Sequence, residues 1–357
     1  MSGCSVFPCV FLLWRCAVLN FQSANKKKLV IVLSIILAVL LVLAVAMYLF
    51  TETFGGIGRL DQHETLSPDQ LETIFGEGEV VETDPVMDQA ETLFKGKDVV
   101  NILLVGQDKR EGDAPQRTDA MILCTINKST KTLTMTSFMR DMWVYIPEHY
   151  NQRLNLPYQL GGFDLLNDTL EYNFGIRADY NVEIDFSGFM NAINAVGGIE
   201  IDLTAAEAKY LNSRGNWGVE AYEYWGLKEG VNLLNGSQAL AYSRIRQIGT
   251  DFGRTNRQRT VLTVLLDKAK TLSSSELLNL VKEIIPLMRT DMKNSQMLGL
   301  ALDMLPMLSD IQIISQRIPM DGEFSYANKN GASVIVLDKN QLEANKQLLI
   351  DAMGEDD

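Results

Sequence analysis

The longest apolar run in the chain is Leu29 to Phe50, 22 residues without a charge. A bilayer core of roughly 30 Å is crossed by about 20 residues at about 1.5 Å rise each, so this run predicts a membrane-spanning helix. Lys26, Lys27 and Lys28 abut its N-terminal end, whereas Thr51 to His63 carries Arg59 as its one cation. The positive-inside rule then puts the N-terminus in the cytoplasm and everything after Phe50 outside the cell membrane. No small-residue cleavage site follows the run, which reads as an uncleaved anchor. Val6 to Phe21 is also apolar but is interrupted by Pro8 and Arg15. Residues 1–25 are open to two readings, a second short membrane-associated segment or an over-extended gene start.

Beyond the anchor the pattern changes twice. Thr51 to Asp98 is acidic, contains Gly55, Gly56 and Gly58, and shows a short helical period only around Asp69 to Phe75. From Val99 onward, strand and helix patterns interleave. Val99 to Val105, Ala120 to Ile126, Thr132 to Phe138, Trp143 to Ile146, Ile199 to Leu203, Ile311 to Ile318 and Ser333 to Leu337 read as strands. Asp164 to Phe174, Phe186 to Ala195, Gly236 to Arg246, Arg254 to Lys270 and Lys339 to Met353 read as helices. Asn127 to Lys131 is a hairpin-like turn, and Gly197-Gly198 closes a helix C-terminus. Such interleaving predicts an α/β domain with a mixed central sheet covered on both faces. The expected organisation is a cytoplasmic segment (1–28), a transmembrane anchor (29–50), an extracellular linker or accessory region (51–98) and one extracellular domain (99–357).

Composition narrows what that domain does. With 46% hydrophobic and 22% charged residues in 357, the chain is not disordered. Its net charge is -13, and because residues 1–50 hold four cations and no acid, the part beyond them carries -17. An acidic exterior argues against nucleic acid as a partner, and any anion site must work locally against the average field. Three of the four cysteines precede the anchor, which leaves Cys124 alone in an apolar run, read as a buried strand residue. His63 and His149 are the only histidines, and no G-x-x-x-x-G-K-[ST] loop occurs. A Ser-His-Asp or Cys-His hydrolase and a P-loop enzyme are therefore not expected.

Two constellations carry chemistry. Gly106-Gln107-Asp108-Lys109-Arg110 follows the first strand, Arg117-Thr118-Asp119 precedes the second, and Met139-Arg140-Asp141 follows the third. Carboxylates at strand ends suit a hard cation such as Mg2+, and arginine's planar fork suits phosphate. The plainer reading is a set of surface ion pairs worth about 0–1 kcal/mol each. The second constellation runs from Arg244 to Arg259 and contains Arg244, Arg246, Arg254, Arg257 and Arg259 without a lysine. In the helix after Gly253 the stripe Arg254, Arg257, Gln258, Val261, Leu262, Leu265 must turn its apolar half to the core, and so aims the arginines inward too. An inward guanidinium needs an anion. Thr250 or Asp251 can cap that helix, whose N-terminus adds attraction for negative charge. Bound phosphate and internal pairing to Asp108, Asp119 or Asp141 both satisfy the requirement.

The stretches NILLVGQDKR, QRTDAMILCTIN, SFMRDMWVYIP, NAVGGIEIDL, LNGSQALAYSRIR and DFGRTNRQR, in this order over about Asn101 to Lys270, resemble the LytR–CpsA–Psr (LCP) family of membrane-anchored envelope enzymes. The resemblance implies an α-β-α sandwich with an apolar tunnel, the motif-bearing core lying at 101–270. It implies a phosphotransferase that moves a glycopolymer with its proximal phosphate from a polyprenyl-pyrophosphate lipid to a peptidoglycan hydroxyl. The polymer would be wall teichoic acid, capsule or a related polysaccharide. By position, Asp108 and Asp119 match the family's Mg2+-associated aspartates. Arg140, Arg244, Arg246, Arg254 and Arg257, with Gln258, match its pyrophosphate-binding side chains, and Arg110 and Arg117 lie in the same motifs. Of these, Asp108, Asp119, Arg140 and Arg246 are the expected catalytic group, and Asp141 or Asp251 the candidate base. One departure is Met139, where the family commonly has proline; it is expected to loosen that turn while leaving Arg140 in place. Leu233, Leu234, Leu240, Val261 and Leu265 are candidate tunnel residues. A polyprenyl-pyrophosphate hydrolase and a non-catalytic regulator binding lipid-linked intermediates are the alternatives.

Overall fold

The computed structural model describes residues 58–59, 88–107, 118–213, 224–249 and 251–354, apart from 274–275, 277–279, 281–282 and 330. The expected anchor at 29–50 and the helical pattern at Asp69 to Phe75 lie outside the described residues, among which no helix is long and apolar enough to cross a membrane. The strands in chain order are β1 (Gly58–Arg59), β2 (Val99–Gln107), β3 (Ala120–Asn127), β4 (Thr132–Phe138), β5 (Trp143–Tyr145), β6 (Asn151–Arg153), β7 (Tyr180–Asp185), β8 (Ile199–Leu203), β9 (Gly230–Leu234), β10 (Met288–Thr290), β11 (Gln312–Ile318), β12 (Ser325–Lys329) and β13 (Ala332–Val336). The principal helices are α1 (Pro157–Phe174), α2 (Phe186–Ala195), α3 (Ala205–Ser213), α4 (Gly236–Ser243), α5 (Asp251–Lys270), α6 (Asn294–Met304) and α7 (Lys339–Met353).

Seven strands form the central sheet in the order β1-β10-β7-β2-β3-β4-β11. It is mixed, as expected: β2 pairs with β3 antiparallel and with β7 parallel, and β4 pairs with β11 parallel. The β3–β4 hairpin is fixed locally, because the Asn127 side-chain oxygen accepts from the backbone N–H groups of Ser129 and Thr130, both at 3.1 Å. Three further pairs, β5–β6, β8–β9 and β12–β13, lie outside this sheet.

Alternation along β2 and β3 separates two layers. Leu103, Val105, Met121 and Leu123 join a buried cluster with Leu166, Leu170 and Phe174 of α1 and Leu342, Leu349 and Met353 of α7. The intervening Leu104, Gly106, Ala120 and Ile122 face the other way, towards α2, α4 and α5. A second cluster lies there, built from Ile193, Ile199, Ile201, Leu234, Tyr242 and Val261. Helices thus cover both faces of the sheet. Cys124 is a partly buried free cysteine on β3, and burial pushes its thiol up to about 12.

Local signals explain where the elements start and stop. Asp185 caps α2 by accepting from the Gly188 N–H at 2.7 Å. Asn235 and Gln238 form a reciprocal capping box at the head of α4. Gly197 and Gly198 have φ of 74° and 85°, and the Gly198 N–H donates to Ile193 O at 2.9 Å, so they end α2 as expected. Helix α1 differs from expectation in starting earlier, at Pro157, with a break at Gly161 and Gly162 that separates the added turn from the periodic part.

Candidate active site

The second face of the sheet does not close completely. Between it and α2, α4 and α5 lies a cavity of about 150 Å³, roughly ten times the space one water requires. Its apolar wall includes Leu104, Ile122, Ile184, Phe189, Leu262 and Leu265, and its polar side consists mainly of Asp119, Asp185, Arg244, Arg246, Arg254 and Gln258.

Each polar group is placed by a distinct element. Asp119 immediately precedes β3, whose first residue Ala120 pairs with Gly106 of β2. Arg140 follows the end of β4 and donates to Asp119 Oδ1 at 2.7 Å. Arg246 follows α4 and donates to Asp119 Oδ2 at 3.1 Å. Two elements therefore hold the carboxylate by its two oxygens. The Arg246 side chain is 55% exposed, so its pair with Asp119 is open to exchange with another anion. Arg244 sits at the C-terminus of α4 with its guanidinium 4.5 Å from the centre of the Phe186 ring. Arg254 and Gln258, one turn apart on α5, both line the cavity, and Arg254 is only 3% exposed.

Arg257 has a different task from its neighbour on the same stripe. Its Nε donates to Glu207 Oε1 at 2.7 Å, and its terminal nitrogens donate to Ile248 O at 2.8 Å and Ile245 O at 3.3 Å. It does not line the cavity. Of the two readings left open by the sequence, internal pairing describes Arg257, though with Glu207 rather than Asp108, Asp119 or Asp141. Burial pushes the Glu207 carboxyl up, but hydrogen bonds from Arg257 and Thr204 outweigh it and hold the group below the ordinary value. The pair ties the Ile245–Ile248 segment, which carries Arg246, to α3 and α5.

Asp141, the candidate base, lies between two arginines. Its carboxylate oxygens lie 3.5 Å from Arg140 Nε and 3.6 Å from Arg153 Nε, and its carbonyl accepts from the Ile335 N–H at 2.9 Å. It is not part of the cavity wall. This placement orients Arg140 against Asp119. Met139 is buried, its N–H donates to Ile318 O at 2.9 Å, and its sulfur accepts from Thr255 at 3.3 Å. A proline could not make the first of these bonds, so the departure at this position is built into the turn, and Arg140 stays at the site.

Asp108, Arg110 and Arg117 lie outside the described residues, as does Thr250, and for Asp251 only its place at the start of α5 is described. Among the candidate tunnel residues, Leu240 and Leu265 line the cavity, Leu234 and Val261 belong to the adjoining core, and Leu233 is exposed. Sequence reasoning missed Glu207, Phe186 and Phe189. Thr204 and Glu207 form a three-residue-spaced helix-capping pair visible in the sequence, but only the fold brings Arg257 to it. His149 is not among the cavity residues.

Residues 69–351 match the LytR_cpsA_psr family. Over 263 residues the chain is 30% identical to the polyisoprenyl-teichoic acid–peptidoglycan teichoic acid transferase TagT of Bacillus subtilis, covering 72% of this chain and 78% of that protein. The corresponding TagU of Oceanobacillus iheyensis is 34% identical over 190 residues, which span 51% of this chain and 55% of TagU. The regulatory protein MsrR of Staphylococcus aureus is 30% identical over 72% of this chain and 75% of its own length. Among solved structures, TagT bound to LIIa-WTA superposes with a TM-score of 0.59 at 25% identity, covering 77% of this chain and all of that one. With an α/β fold, a mixed central sheet and a match over most of its length, the chain belongs to the LytR_cpsA_psr family.

Proposed function

We propose that the protein transfers a glycopolymer, with its proximal phosphate, from a polyprenyl-pyrophosphate carrier to a hydroxyl of peptidoglycan. The observation that carries this reading is the arrangement of Arg244, Arg246 and Arg254 on an apolar cavity. Few ligands need both an apolar pocket and several guanidiniums; a lipid diphosphate needs both. The names of the TagT and TagU relatives, and TagT's solved complex with LIIa-WTA, support the same substrate class.

In this reading the prenyl chain enters between Ile122, Phe189, Leu262 and Leu265, and the diphosphate meets Arg140, Arg244, Arg246, Arg254 and Gln258. Its oxygens compete with Asp119 for Arg140 and Arg246, so binding releases the carboxylate from its two ion pairs. The acceptor oxygen attacks the phosphorus that carries the polymer. A new P–O bond forms, the bond to the bridging oxygen breaks, polyprenyl phosphate leaves, and the hydroxyl proton passes to a carboxylate at the rim. Phosphoryl transfer of this kind depends mainly on positioning and charge stabilisation, which fixed guanidiniums provide.

Mg2+ belongs to the same proposal. Asp119 offers hard oxygen donors on the cavity wall, and β2 ends at Gln107, the residue before Asp108, beside the start of β3. Mg2+ takes few protein ligands and keeps room for phosphate oxygens, so two carboxylates suffice. Asp119 and Asp108 would hold the ion, which would supply neutralisation of the diphosphate charge. The apolar run at 29–50 would keep the domain at the outer face of the membrane, where a lipid-borne donor is found.

Incubating the purified protein with lipid-linked polymer and peptidoglycan tests the proposal. Covalent attachment of polymer is expected, and Arg246→Ala should lower its rate about 100-fold with stability changed by less than about 0.5 kcal/mol. Release of soluble polymer bearing its phosphate, together with polyprenyl phosphate and without attachment, would establish a hydrolase instead. A second reading, a non-catalytic regulator, draws on the similarity to MsrR. It requires no turnover and full function of Asp119→Ala in cells.

A further inference from the structure

Arg259 belongs to the arginine-rich segment but plays no part in the site described so far. Its Nε is buried and has no hydrogen-bond partner among the described residues. A terminal nitrogen of Arg259 donates to Asn256 Oδ1 at 3.1 Å, and burial together with the like charge of Arg317 on β11 lowers its proton affinity, partly offset by Asp321. Arg317 is itself 11% exposed. Its Nε donates to Pro319 O at 3.2 Å, and it pairs with Asp321, whose side chain is almost fully exposed. Two sheltered cations with one solvent-facing acid beside them leave capacity for a further anion.

An aromatic ladder continues from this pair. The Arg317 guanidinium lies 4.2 Å from the centre of the Phe252 ring. Phe252 stacks on Phe324 at 4.9 Å, and Phe324 meets Tyr326 edge-on at 5.4 Å. Tyr326 is 61% exposed. Phe252 and Phe324 pack against the core of the sealed face, and each end of the ladder is joined through the chain or the strand register to a residue near the site. Phe252 precedes Arg254 by two residues on α5. Tyr326 pairs in register with Ile335, whose N–H donates to the carbonyl of Asp141, the residue after Arg140.

We propose that this ladder is the acceptor subsite and takes a carboxylate-bearing glycan strand, peptidoglycan, with sugar rings on Tyr326 and Phe324 and a carboxylate on Arg259 and Arg317. The C–H faces of a sugar ring are apolar and pack on an aromatic face, while a guanidinium pair selects for a strand that carries anions. In a region whose net charge is -17 such a local cationic spot is the complement of an acidic polymer. The assignment rests on the reading that peptidoglycan is the acceptor, and its test separates the two.

Sedimentation of the full-length protein with purified peptidoglycan sacculi measures binding without turnover. Tyr326→Ala should weaken it about five-fold, whereas Tyr326→Phe retains it. Sacculi whose carboxylates are amidated should bind the wild type more weakly, and Arg259→Ala should remove that difference. In the transfer reaction Tyr326→Ala should raise KM for acceptor about five-fold while KM for donor and the melting temperature stay unchanged. Wild-type sacculus binding by Tyr326→Ala overturns the assignment, and so does a change in donor KM, which would give the ladder to the incoming polymer. If the wild type attaches no polymer but binds sacculi through Tyr326, the proposed reaction fails and the surface stands.

Discussion

The two faces of the central sheet are made from the same strands and end in opposite states. On one, Leu103, Val105, Met121 and Leu123 are sealed beneath α1 and α7. On the other, Leu104, Gly106, Ala120 and Ile122 face a cavity whose polar side carries three arginines. The difference lies in what covers each face. Helices α1 and α7 bring apolar side chains such as Phe174, Leu342 and Leu349 against the strands. Helices α4 and α5 bring Arg244, Arg254 and Gln258 among their leucines. A guanidinium cannot be packed like a leucine, because its charge must stay solvated or paired. The second face therefore keeps a space, and the sheet serves as core on one side and as a binding wall on the other.

Removing the pair that braces the open side should do the most damage. Arg257→Ala leaves Glu207 buried without its cation and is expected to cost about 3–5 kcal/mol in urea unfolding. Replacing both partners, as Arg257→Met with Glu207→Leu, should restore most of that loss. A smaller contrast compares neighbouring residues on β3. Leu123→Ala on the sealed face should cost about 2–5 kcal/mol, and Ile122→Ala on the cavity face about half as much, since fewer atoms surround it to lose contact. Equal costs would mean that the second face is as tightly packed as the first. The smallest effect is in pH. Glu207 has a folded value held below its ordinary 4.5, so its contribution is complete above that pH and is lost as pH falls through the depressed value. Wild-type stability should decline more steeply below pH 4.5 than that of Glu207→Gln; parallel curves would remove Glu207 from the acid response.

Much of the fold was legible because periodicity is a local property. The limits expected for β4, α2, β8 and α7 coincide with those observed, and those of β2, β3 and β11 shift by at most two residues. Strand β7 escaped notice, although it is central in the sheet. Its pattern, Tyr180 to Asp185, places Asn181 and Glu183 at buried positions, where polarity masks the strand signal. Those two are satisfied from afar: Asn181 by Asn167 and Asp291, and Glu183 by Tyr158 and Arg289.

The candidate site divides in the same way. From the sequence alone came the strand-end carboxylates, the arginine-rich segment and the inward stripe on α5, because residue type and helical spacing are fixed by the chain. What the tertiary structure decided is which anion each arginine meets. Arg254 and Arg257 share one stripe, yet α3 supplies Glu207 to the second and leaves the first on the cavity wall. Likewise Leu233 and Leu234 are adjacent on β9, and only the packing of that strand exposes one and buries the other. Spacing along a helix or strand sets the direction of a side chain, but the partner it finds there comes from a distant segment, and that choice is made only when the layers assemble.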